Sequence, residues 1–220
     1  MVVAMASAVP AAAGTFDAFE NGRNPNLWSF NVTTPDYLPT TGGTPGGWLY
    51  NPLVVSYTPR LTADLRDLPA GNVLKQAFAR RQVSRISLDA RTLWSEFPTG
   101  LRPFALMLKS TSGTPDVIED DDFVYTLAPA APVPGGDWAH YSFSIPSRYT
   151  GYLPPGWIGG RYDDFEQFRP GKNWNTVIGK VDIVQFWWAD PRGYYLVHGY
   201  SVGADNIAVD TFTSLPGPSP

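Results

Sequence analysis

Two acidic segments near the ends of the chain carry residues that could bind a metal ion. Asp205 and Asn206 lie in residues 203–210, just before an alternating apolar run typical of a last β-strand, and Glu20 lies in residues 16–22. Calcium takes about six to eight oxygen ligands, partly from backbone carbonyls. If the two ends of the folded region lie side by side and close one sandwich, their oxygens could converge on a calcium ion.

The predicted calcium ligands also draw on a glycine-rich loop. Residues 42–47 contain four glycines and a proline, and glycine permits positive φ, so carbonyls in such a loop can point inward at a cation. Ordinary turn chemistry is the alternative, because Asp and Asn bond their own backbone. The carboxylates would come from Glu20 and Asp205, and the further oxygens from Asp17, Asn21, Gly43, Thr44 and Asn206.

Other reactive residues point to weaker hypotheses. Residues 199–203 match the G-x-S-x-G nucleophile pattern around Ser201, but a strand rather than a helix follows and no histidine lies after His198. His140 and His198 are the only histidines, and nothing in their spacing pairs them for zinc. The acidic run 119–122 lacks EF-hand spacing and reads as a solvated loop.

Aromatic residues are a further signal, with eight Trp and eleven Tyr in the chain. Phe186, Trp187 and Trp188 cannot all point inward on a strand, because neighbours alternate faces. Exposed aromatic patches mark binding sites, and aromatic faces stack on sugar rings, although packing beneath a loop is the alternative for each. The predicted ligand-binding aromatics are Trp94, Trp157, Trp174, Trp187, Tyr194 and Tyr195.

Composition restricts the function classes. The 220 residues are 43% hydrophobic and only 16% charged, with 21 Gly and 22 Pro, which suits short strands joined by rigid turns. With no cysteine, a disulfide framework and a thiolate site are excluded. A net charge of −4 and scattered basic residues argue against nucleic-acid binding, and no apolar run is long enough to span a membrane.

Strand-length apolar segments dominate the chain and predict an all-β, antiparallel jelly-roll β-sandwich with long loops. One short helix is expected over residues 73–81, and 148–175 reads as a long insertion without regular structure. Residues 1–15 are expected to be a signal-peptide remnant or a disordered tail, 16–212 the domain, and 213–220 a Pro-rich tail or linker. The predicted strands lie within 53–57, 82–93, 104–108, 123–127, 137–145, 177–188, 194–197 and 207–209.

Several short motifs resemble a known family. Residues 16–22 with Trp28 look like the "F-E-x-G … W" start of bacterial jelly-roll modules, and 41–49 resemble the "G-G-N-P-G-G-Y-L" signature of laminin B (laminin IV type A) domains. Residues 203–207 resemble their "G-L-D-N-V", and 135–138 fit the same scheme. Thr44 and Trp48 depart from the signature, and the likeness covers roughly residues 16–210.

This resemblance implies a galactose-binding-like jelly roll, similar in shape to carbohydrate-binding modules. In many such modules the first Glu and the last Asp bind a structural calcium, and these correspond to Glu20 and Asp205. The resemblance implies no catalytic residues.

Three functions follow as hypotheses. The first is a secreted, non-catalytic module that binds glycan or extracellular matrix, and the second is a structural or adhesive module of a cell surface. The third is a polysaccharide-active enzyme, which would need two carboxyls facing each other across a groove. The carboxylates for the third would come from residues 119–122 or from Asp163, Asp164 and Glu166.

Overall fold

The computed structural model describes residues 12–30, 34–97, 102–111, 121–149, 151–161, 169–170, 174–193 and 195–212, which fold into strands and two short α-helices. The helices are α1 Val73–Ala79 and α2 Trp174–Ile178. The strands are β1 Ala12–Asp17, β2 Ser29–Phe30, β3 Leu49–Ser56, β4 Arg60–Asp64, β5 Val83–Ser95, β6 Phe104–Ser110, β7 Asp122–Ala128, β8 Ala139–Ser144, β9 Trp157–Arg161, β10 Arg169–Pro170, β11 Ile183–Trp187 and β12 His198–Thr211.

The strands form two antiparallel sheets. The five-stranded sheet has the order β1-β12-β5-β8, with β3 also paired to β12, and the seven-stranded sheet has the order β10-β9-β7-β6-β11-β4-β2. In the first sheet, β12 pairs with β3 through its first half and with β1 through its second half. The two sheets make a jelly-roll β-sandwich, so the predicted fold class is confirmed.

The two ends of the folded region are neighbours in the five-stranded sheet. Phe16 pairs with Ala208, and Asp17 pairs with Ile207. The prediction that the two ends lie side by side and close one sandwich is therefore confirmed. Because these segments lie far apart in sequence, their pairing carries a loop-closure entropy cost that other contacts of the sandwich must offset.

The main core lies between the sheets and is rich in aromatic rings. Phe104 of the seven-stranded sheet stacks on Tyr141 of the five-stranded sheet, with ring centroids 4.0 Å apart. Its ring also meets Trp188 edge-on at 4.9 Å and lies 6.1 Å from Phe186. Truncation of a buried Phe costs about 3–5 kcal/mol, so Phe104 joins the two sheets energetically as well as spatially.

Helix α1 forms where the sequence predicts it. The Asn72 side chain caps its first turn by accepting a hydrogen bond from the backbone N–H of Lys75 at 3.0 Å. Leu74, Ala77 and Phe78 are buried against the core, whereas Val73 is exposed. The apolar spacing therefore identified three of the four side chains expected on the buried face.

Three sequence-based boundaries are wrong. Residues 148–175 are not an insertion without regular structure, because β9 within them pairs with β7 and widens the seven-stranded sheet. Residues 177–188 are not one strand, since α2 ends at Ile178 and the strand begins only at Ile183. Residues 195–197 form no strand. In each case pairing partners, rather than local apolar content, decide where the strand lies.

The predicted terminal tails are only partly within the described residues. Strand β1 begins at Ala12, inside the 1–15 segment that composition assigned to a tail, because backbone pairing to β12 does not require large side chains. Residues 1–11 and 213–220 lie outside the described residues. Within the described part of the chain, no helix is long and apolar enough to cross a membrane.

Candidate functional site

Asp205 lies at the centre of the contacts that join the last strand to the glycine-rich loop. Its carboxylate is fully buried, and its Oδ2 accepts a hydrogen bond from the backbone N–H of Thr44 at 2.6 Å. Its Oδ1 accepts from the backbone N–H of Asn206 at 2.7 Å. A buried carboxylate is tolerated only when such donors replace water. Glu20, Gly43, Thr44, Asp205 and Asn206 are called the clasp below.

A β-bulge brings Asp205 and Asn206 to the same place. Asp205 pairs with Asp89 of β5, but the next pair is Ala208 with Ser87, so β12 has one extra residue there. Asn206 sits in this bulge with a positive φ of 48°. Without the bulge, adjacent side chains would point to opposite faces of the sheet. The predicted acidic turn is therefore an interruption within one continuous strand.

Asn206 and Asp89 complete the hydrogen bonds around Thr44. The Asn206 amide donates to the Thr44 carbonyl and to Asp89 Oδ2, the latter at 2.8 Å. The Thr44 hydroxyl oxygen is 2.8 Å from Asp89 Oδ2 and 3.3 Å from Asp205 Oδ2, so its single hydrogen is better placed on Asp89. His140 approaches the other oxygen of Asp89, with Nδ1 and Oδ1 2.8 Å apart.

The two carboxylates of this network differ electrostatically. Burial raises the pKa of Asp205, and the backbone donors of Thr44 and Asn206 offset only part of that rise. Burial also raises the pKa of Asp89, but hydrogen bonds from Asn206, His140 and Thr44 outweigh it, so the pKa of Asp89 falls below its usual value. Asp205 is thus the carboxylate whose charge would gain most from a bound cation.

Oxygen atoms converge beside two glycines of the loop. A methyl group on Gly43 would lie 2.5 Å from both Asp205 Oδ2 and the Gly47 carbonyl, and 3.0 Å from the Gly46 carbonyl. A methyl group on Gly46 would overlap the Glu20 carboxylate, whose Oε1 also accepts from the Gly47 N–H at 3.3 Å. Carboxylate and carbonyl oxygens of this kind are the ligands that calcium prefers.

The oxygens beside the two glycines are the backbone carbonyls of Gly46 and Gly47 and the carboxylates of Glu20 and Asp205. Among the described residues there is no group of three or more His, Cys, Asp or Glu side chains that could hold a metal ion. Glu20 and Asp205 would therefore supply the charge, and the loop carbonyls of Gly46 and Gly47 would supply further oxygens.

Asp17, also predicted as a metal ligand, is directed elsewhere. Its Oδ2 accepts from the Asn26 side-chain amide at 2.6 Å and from the Trp28 indole at 2.8 Å. Its Oδ1 is buried without a hydrogen-bond partner among the described residues. Burial raises the pKa of Asp17, and the two hydrogen bonds lower it only in part. Asp17 therefore anchors the segment after β1 instead of joining the clasp.

A second apolar cluster lies on the seven-stranded sheet, separate from the main core. Phe186 and Trp188 belong to the main core, whereas Trp187 between them packs with Met107 and Tyr125 on the outer face. Strand register aligns these side chains, because Gln185 pairs with Met107, which pairs with Tyr125. Trp187 is thus the residue of the aromatic triplet that faces away from the main core.

Polar side chains surround Trp187 on this outer face. The Arg60 guanidinium lies 5.0 Å from the Trp187 ring centroid, and the Trp187 indole donates to Gln185 Oε1 at 3.2 Å. The Gln185 amide in turn donates to the Thr62 hydroxyl at 3.2 Å. Arg60, Thr62, Tyr125, Gln185 and Trp187 are called the Trp187 face below.

Arg192 extends the polar edge of the Trp187 face. Its guanidinium lies 5.8 Å from the Tyr125 ring centroid and pairs with Asp190 at 3.0 Å. Burial and the nearby Asp190 carboxylate raise the pKa of the Tyr125 phenol, so that phenol stays protonated. Sequence reasoning missed Arg60 and Gln185, although Arg60 begins a polar–apolar alternation, Arg-Leu-Thr-Ala-Asp, that marks a strand with one outward face.

The remaining predicted aromatics differ in exposure. Trp157 and Trp174 pack edge-on against each other with centroids 4.7 Å apart and are buried in the main core, so in this conformation neither offers a ring to a ligand. Trp94 is 48% exposed on the outer face of the other sheet, where it covers Gly199. Tyr195 is half-buried beneath Arg102, and Tyr194 lies outside the described residues.

The catalytic hypotheses gain no support from the described residues. Ser201 lies within β12, and its hydroxyl is 3.4 Å from the Tyr50 hydroxyl rather than near a histidine, so the nucleophile geometry is absent here. In the acidic run, Asp121 pairs with Lys109 at 2.6 Å and Asp122 with Arg161 at 2.8 Å. Glu119, Asp120, Asp163, Asp164 and Glu166 lie outside the described residues.

Comparisons with known proteins find similar structures but no sequence relative. No family model matches the chain, and no curated protein matches it. A family 11 carbohydrate-binding module from Clostridium thermocellum, solved with a β-1,3-1,4-mixed-linked tetrasaccharide, is 13% identical, with 90% of this chain and 96% of that one covered at a TM-score of 0.45.

Two other solved structures are similar over most of this chain. The CBM22-1-CBM22-2 tandem domain from Paenibacillus barcinonensis is 12% identical, with 93% of this chain and 52% of that one covered at a TM-score of 0.46. A carbohydrate esterase from the Shiga toxin-encoding bacteriophage phi24B is 12% identical, with coverages of 91% and 100% and a TM-score of 0.44. These values are low, and the chain's own strand pairing establishes that it is a jelly-roll β-sandwich.

Proposed function

We propose that the protein is a non-catalytic carbohydrate-binding module whose glycan lies on the Trp187 face. The observation that carries this proposal is a second aromatic cluster, outside the main core, with polar side chains on the same sheet face. An outer face of an antiparallel sheet is ordinarily solvated and polar. A buried Trp and Tyr there call for a role beyond closing the sandwich.

The chemistry of the Trp187 face suits a sugar. A sugar ring presents apolar C–H groups on its faces and hydroxyl groups around its edge. Trp187 is 8% exposed, so a sugar would reach its ring only by displacing the Arg60 guanidinium that lies 5.0 Å from the ring centroid. Arg60 and Gln185 would then supply hydrogen-bonding groups next to the ring. Ligand sites combine apolar walls with a few placed polar groups in this way. Because Tyr125 and Met107 are fully buried, the glycan would enter at the Trp187 end, where Arg60 and Thr62 are partly exposed.

Trp94 is the alternative platform and provides a matched control. It is more exposed than Trp187, and Leu53, Gly199 and its cross-strand partner Ser201 lie next to it, so one hydroxyl there could contact a sugar. The two tryptophans lie on the outer faces of different sheets. A ligand that depends on one should therefore tolerate loss of the other.

Binding of purified protein to a panel of soluble polysaccharides tests this function. The panel would include β-1,3-1,4-glucan, xylan and galactan, with isothermal titration of the best ligand. Trp187→Ala and Gln185→Ala should each weaken binding at least tenfold, about 1.4 kcal/mol, while Trp94→Ala leaves it unchanged. Circular dichroism would verify that each variant is folded.

Other outcomes would contradict the proposal in different ways. Absence of binding to every glycan would leave a structural or adhesive module as the better hypothesis. Loss of binding in Trp94→Ala but not in the other two variants would move the site to the five-stranded sheet. Release of reducing sugar from any polysaccharide would favour the enzyme hypothesis.

The clasp forms the second part of the proposal, as a structural calcium site. Glu20 and Asp205 would hold the ion together with the carbonyls of Gly46 and Gly47, and the ion would supply positive charge between two carboxylates. Its role would be to join the ends of the sandwich rather than to contact the glycan. We further propose a secreted or cell-surface location, because the Ala- and Val-rich residues that precede β1 resemble part of a signal peptide.

A further inference from the structure

Arg102 lies at one end of the sandwich, between two tyrosine side chains. The Arg102 side chain is half-buried, and its Nη1 donates to the Tyr200 hydroxyl at 2.7 Å. Its guanidinium also lies 4.4 Å from the ring centroid of Tyr195. No residue in the described part of the chain forms an ion pair with it, and a guanidinium presents five N–H donors. Arg102 therefore keeps donors and charge available for an anion.

A buried imidazole beside the same tyrosine has an unused nitrogen. His198 is only 3% exposed, and its ring centroid lies 4.1 Å from that of Tyr200. Nδ1 is 2.8 Å from the Leu196 carbonyl, so Nδ1 carries the hydrogen in the neutral ring and Nε2 is an acceptor. Nε2 has no hydrogen-bond partner among the described residues. Because Nε2 is buried, a ligand hydroxyl would reach it only if the neighbouring Phe97 ring, whose centroid is 5.4 Å away, moved aside.

One exposed ring and one backbone carbonyl adjoin these two polar groups. Phe97 is 48% exposed and meets the His198 ring edge-on, with centroids 5.4 Å apart. Tyr57 is 62% exposed, and its carbonyl accepts from the Tyr200 hydroxyl at 3.1 Å. Tyr200 thus connects the Arg102 guanidinium, the His198 imidazole and the Tyr57 backbone. The group Tyr57, Phe97, Arg102, His198 and Tyr200 is called the Tyr200 end cluster.

Acidic side chains near this cluster are already engaged. Asp190, which lies close enough to raise the pKa of Tyr195 together with burial, is held by the Arg192 guanidinium and backbone. Glu96 Oε2 accepts from the Gly199 N–H at 3.1 Å. Neither carboxylate forms an ion pair with Arg102, so a negatively charged group of a ligand could bind the Arg102 guanidinium.

We propose that the Tyr200 end cluster binds a saccharide that carries a carboxylate, such as a uronic acid. The carboxylate would bind the Arg102 guanidinium, a ring hydroxyl would donate to His198 Nε2, and the C–H face of the sugar would lie against Phe97. This site is separate from the Trp187 face and goes beyond the glycan binding proposed there, because it selects for negative charge. It needs no ligand on the other surface.

Titration of the full chain with charged and neutral sugars tests the site. Galacturonate and glucuronate oligosaccharides should bind, and their carboxyl-reduced counterparts should bind at least tenfold more weakly. Uronate binding should also weaken as salt is raised, because charge supplies part of the attraction. Acetate should bind far more weakly than the uronates; equal binding would overturn the saccharide assignment and leave a simple carboxylate site.

Matched variants assign the binding to this cluster. Arg102→Gln and His198→Phe should each weaken uronate binding at least tenfold, and Arg102→Lys should lose less than Arg102→Gln because it keeps the charge. Arg85→Gln is the control, since Arg85 pairs with Asp210 on the surface elsewhere. If His198→Phe fails to fold, the two Arg102 variants still decide the matter.

A negative result at the Tyr200 end cluster can be distinguished from a negative result at the Trp187 face. Trp187→Ala should leave uronate binding intact, so loss of uronate binding in that variant would overturn the present inference. Absence of uronate binding by the unmodified protein would overturn it as well, as would an equal loss in Arg85→Gln. Neither of the last two results would affect binding of neutral glycans to the Trp187 face.

Discussion

Thr44 and Asp205 are 161 positions apart in the chain, and the backbone N–H of Thr44 donates to Asp205 Oδ2 at 2.6 Å. The contact ties the glycine-rich loop to the last strand, beside the bulge that holds Asn206. Because the carboxylate is fully buried, its donors cannot be replaced by water without opening the fold. This contact makes the junction between the glycine-rich loop and β12 depend on one side chain.

Removal of the Asp205 carboxylate should destabilise the protein. Asp205→Ala leaves the Thr44 N–H without its acceptor, and hydrogen bonds to charged groups contribute about 1.5–3 kcal/mol each. We expect the free energy of unfolding to fall by at least about 2 kcal/mol in urea titrations, with an unchanged slope. Asp210→Ala is the control, because its pair with Arg85 is exposed and should contribute at most about 1 kcal/mol. Equal losses in the two variants would contradict the role of the clasp.

Calcium should raise the thermal stability of the protein. An ion that binds only the folded state stabilises it by about 2.7 kcal/mol at one hundred times its dissociation constant, so Tm should rise on addition of millimolar calcium and return with EDTA. Glu20→Gln should abolish this response, whereas Glu96→Gln, which alters a carboxylate bound to Gly199, should keep it. If added calcium leaves the Tm of the unmodified protein unchanged, the calcium site is ruled out.

Asp17 should make stability depend on pH in the acid range. Burial raises its folded-state pKa above the unfolded value near 3.9, so the folded protein binds the proton more tightly. The stability that protonation of Asp17 provides is therefore fully present at pH values below the unfolded-state pKa. It is lost as the pH rises through the folded-state pKa.

Asp17→Asn isolates this dependence, because the amide oxygen can still accept from Asn26 and Trp28. Compared with the unmodified protein, Asp17→Asn should be most stable near neutral pH. This difference in the free energy of unfolding should decrease as the pH is lowered. Urea titrations at a series of pH values measure the difference. A difference that grows on acidification would mean that Asp17 is stabilised as an anion.

Gly203 should tolerate no side chain. A Cβ there would overlap the Trp48 ring, which lies on the β12 backbone at this point. We expect Gly203→Ala to lower the free energy of unfolding by about 1–3 kcal/mol, since overpacking forces its neighbours to shift. Gly71→Ala is the control, because a Cβ at Gly71 meets nothing within 4 Å. Similar stability of the two variants would mean that Trp48 moves freely.

Gly203 also explains part of the G-x-S-x-G pattern without catalysis. Gly199 lies under Trp94, and Gly203 lies under Trp48, so aromatic rings cover both glycines of the motif. Ser201 between them faces the same side of β12. Gly199, Ser201 and Gly203 follow one another at every second position, and alternate residues of a strand share one face.

Local patterns were sufficient for the class of fold and for some of its elements. The apolar runs at β6, β7 and β8 alternate or cluster at strand length, and Asn72 caps a helix with apolar residues at helical spacing. These signals act over a few residues, which is why they can be read from the chain. The same holds for the triplet at Trp187, where the alternation of a strand forces one ring away from its neighbours.

Residues 148–178 illustrate what local patterns could not supply. Trp157 and Trp174 lie among glycines and polar residues, so both were predicted as loop residues open to ligand. Pairing of β9 with β7, and packing of the two indoles against each other, bury them instead. A strand that gains its stability from a partner distant in the chain leaves little trace in its own sequence.

The sequence by itself determined that this protein is an all-β sandwich whose acidic ends meet, because composition, alternation and turn residues act locally and agree with one another. Only the tertiary structure decided which side chains meet. The bulge turned Asp205 and Asn206 toward Thr44, and strand register set Arg60 on Trp187. Hydrogen bonds from Asn26 and Trp28 hold the Asp17 side chain away from the clasp. Such contacts depend on register between distant strands, and a shift of one residue would send every side chain to the opposite face.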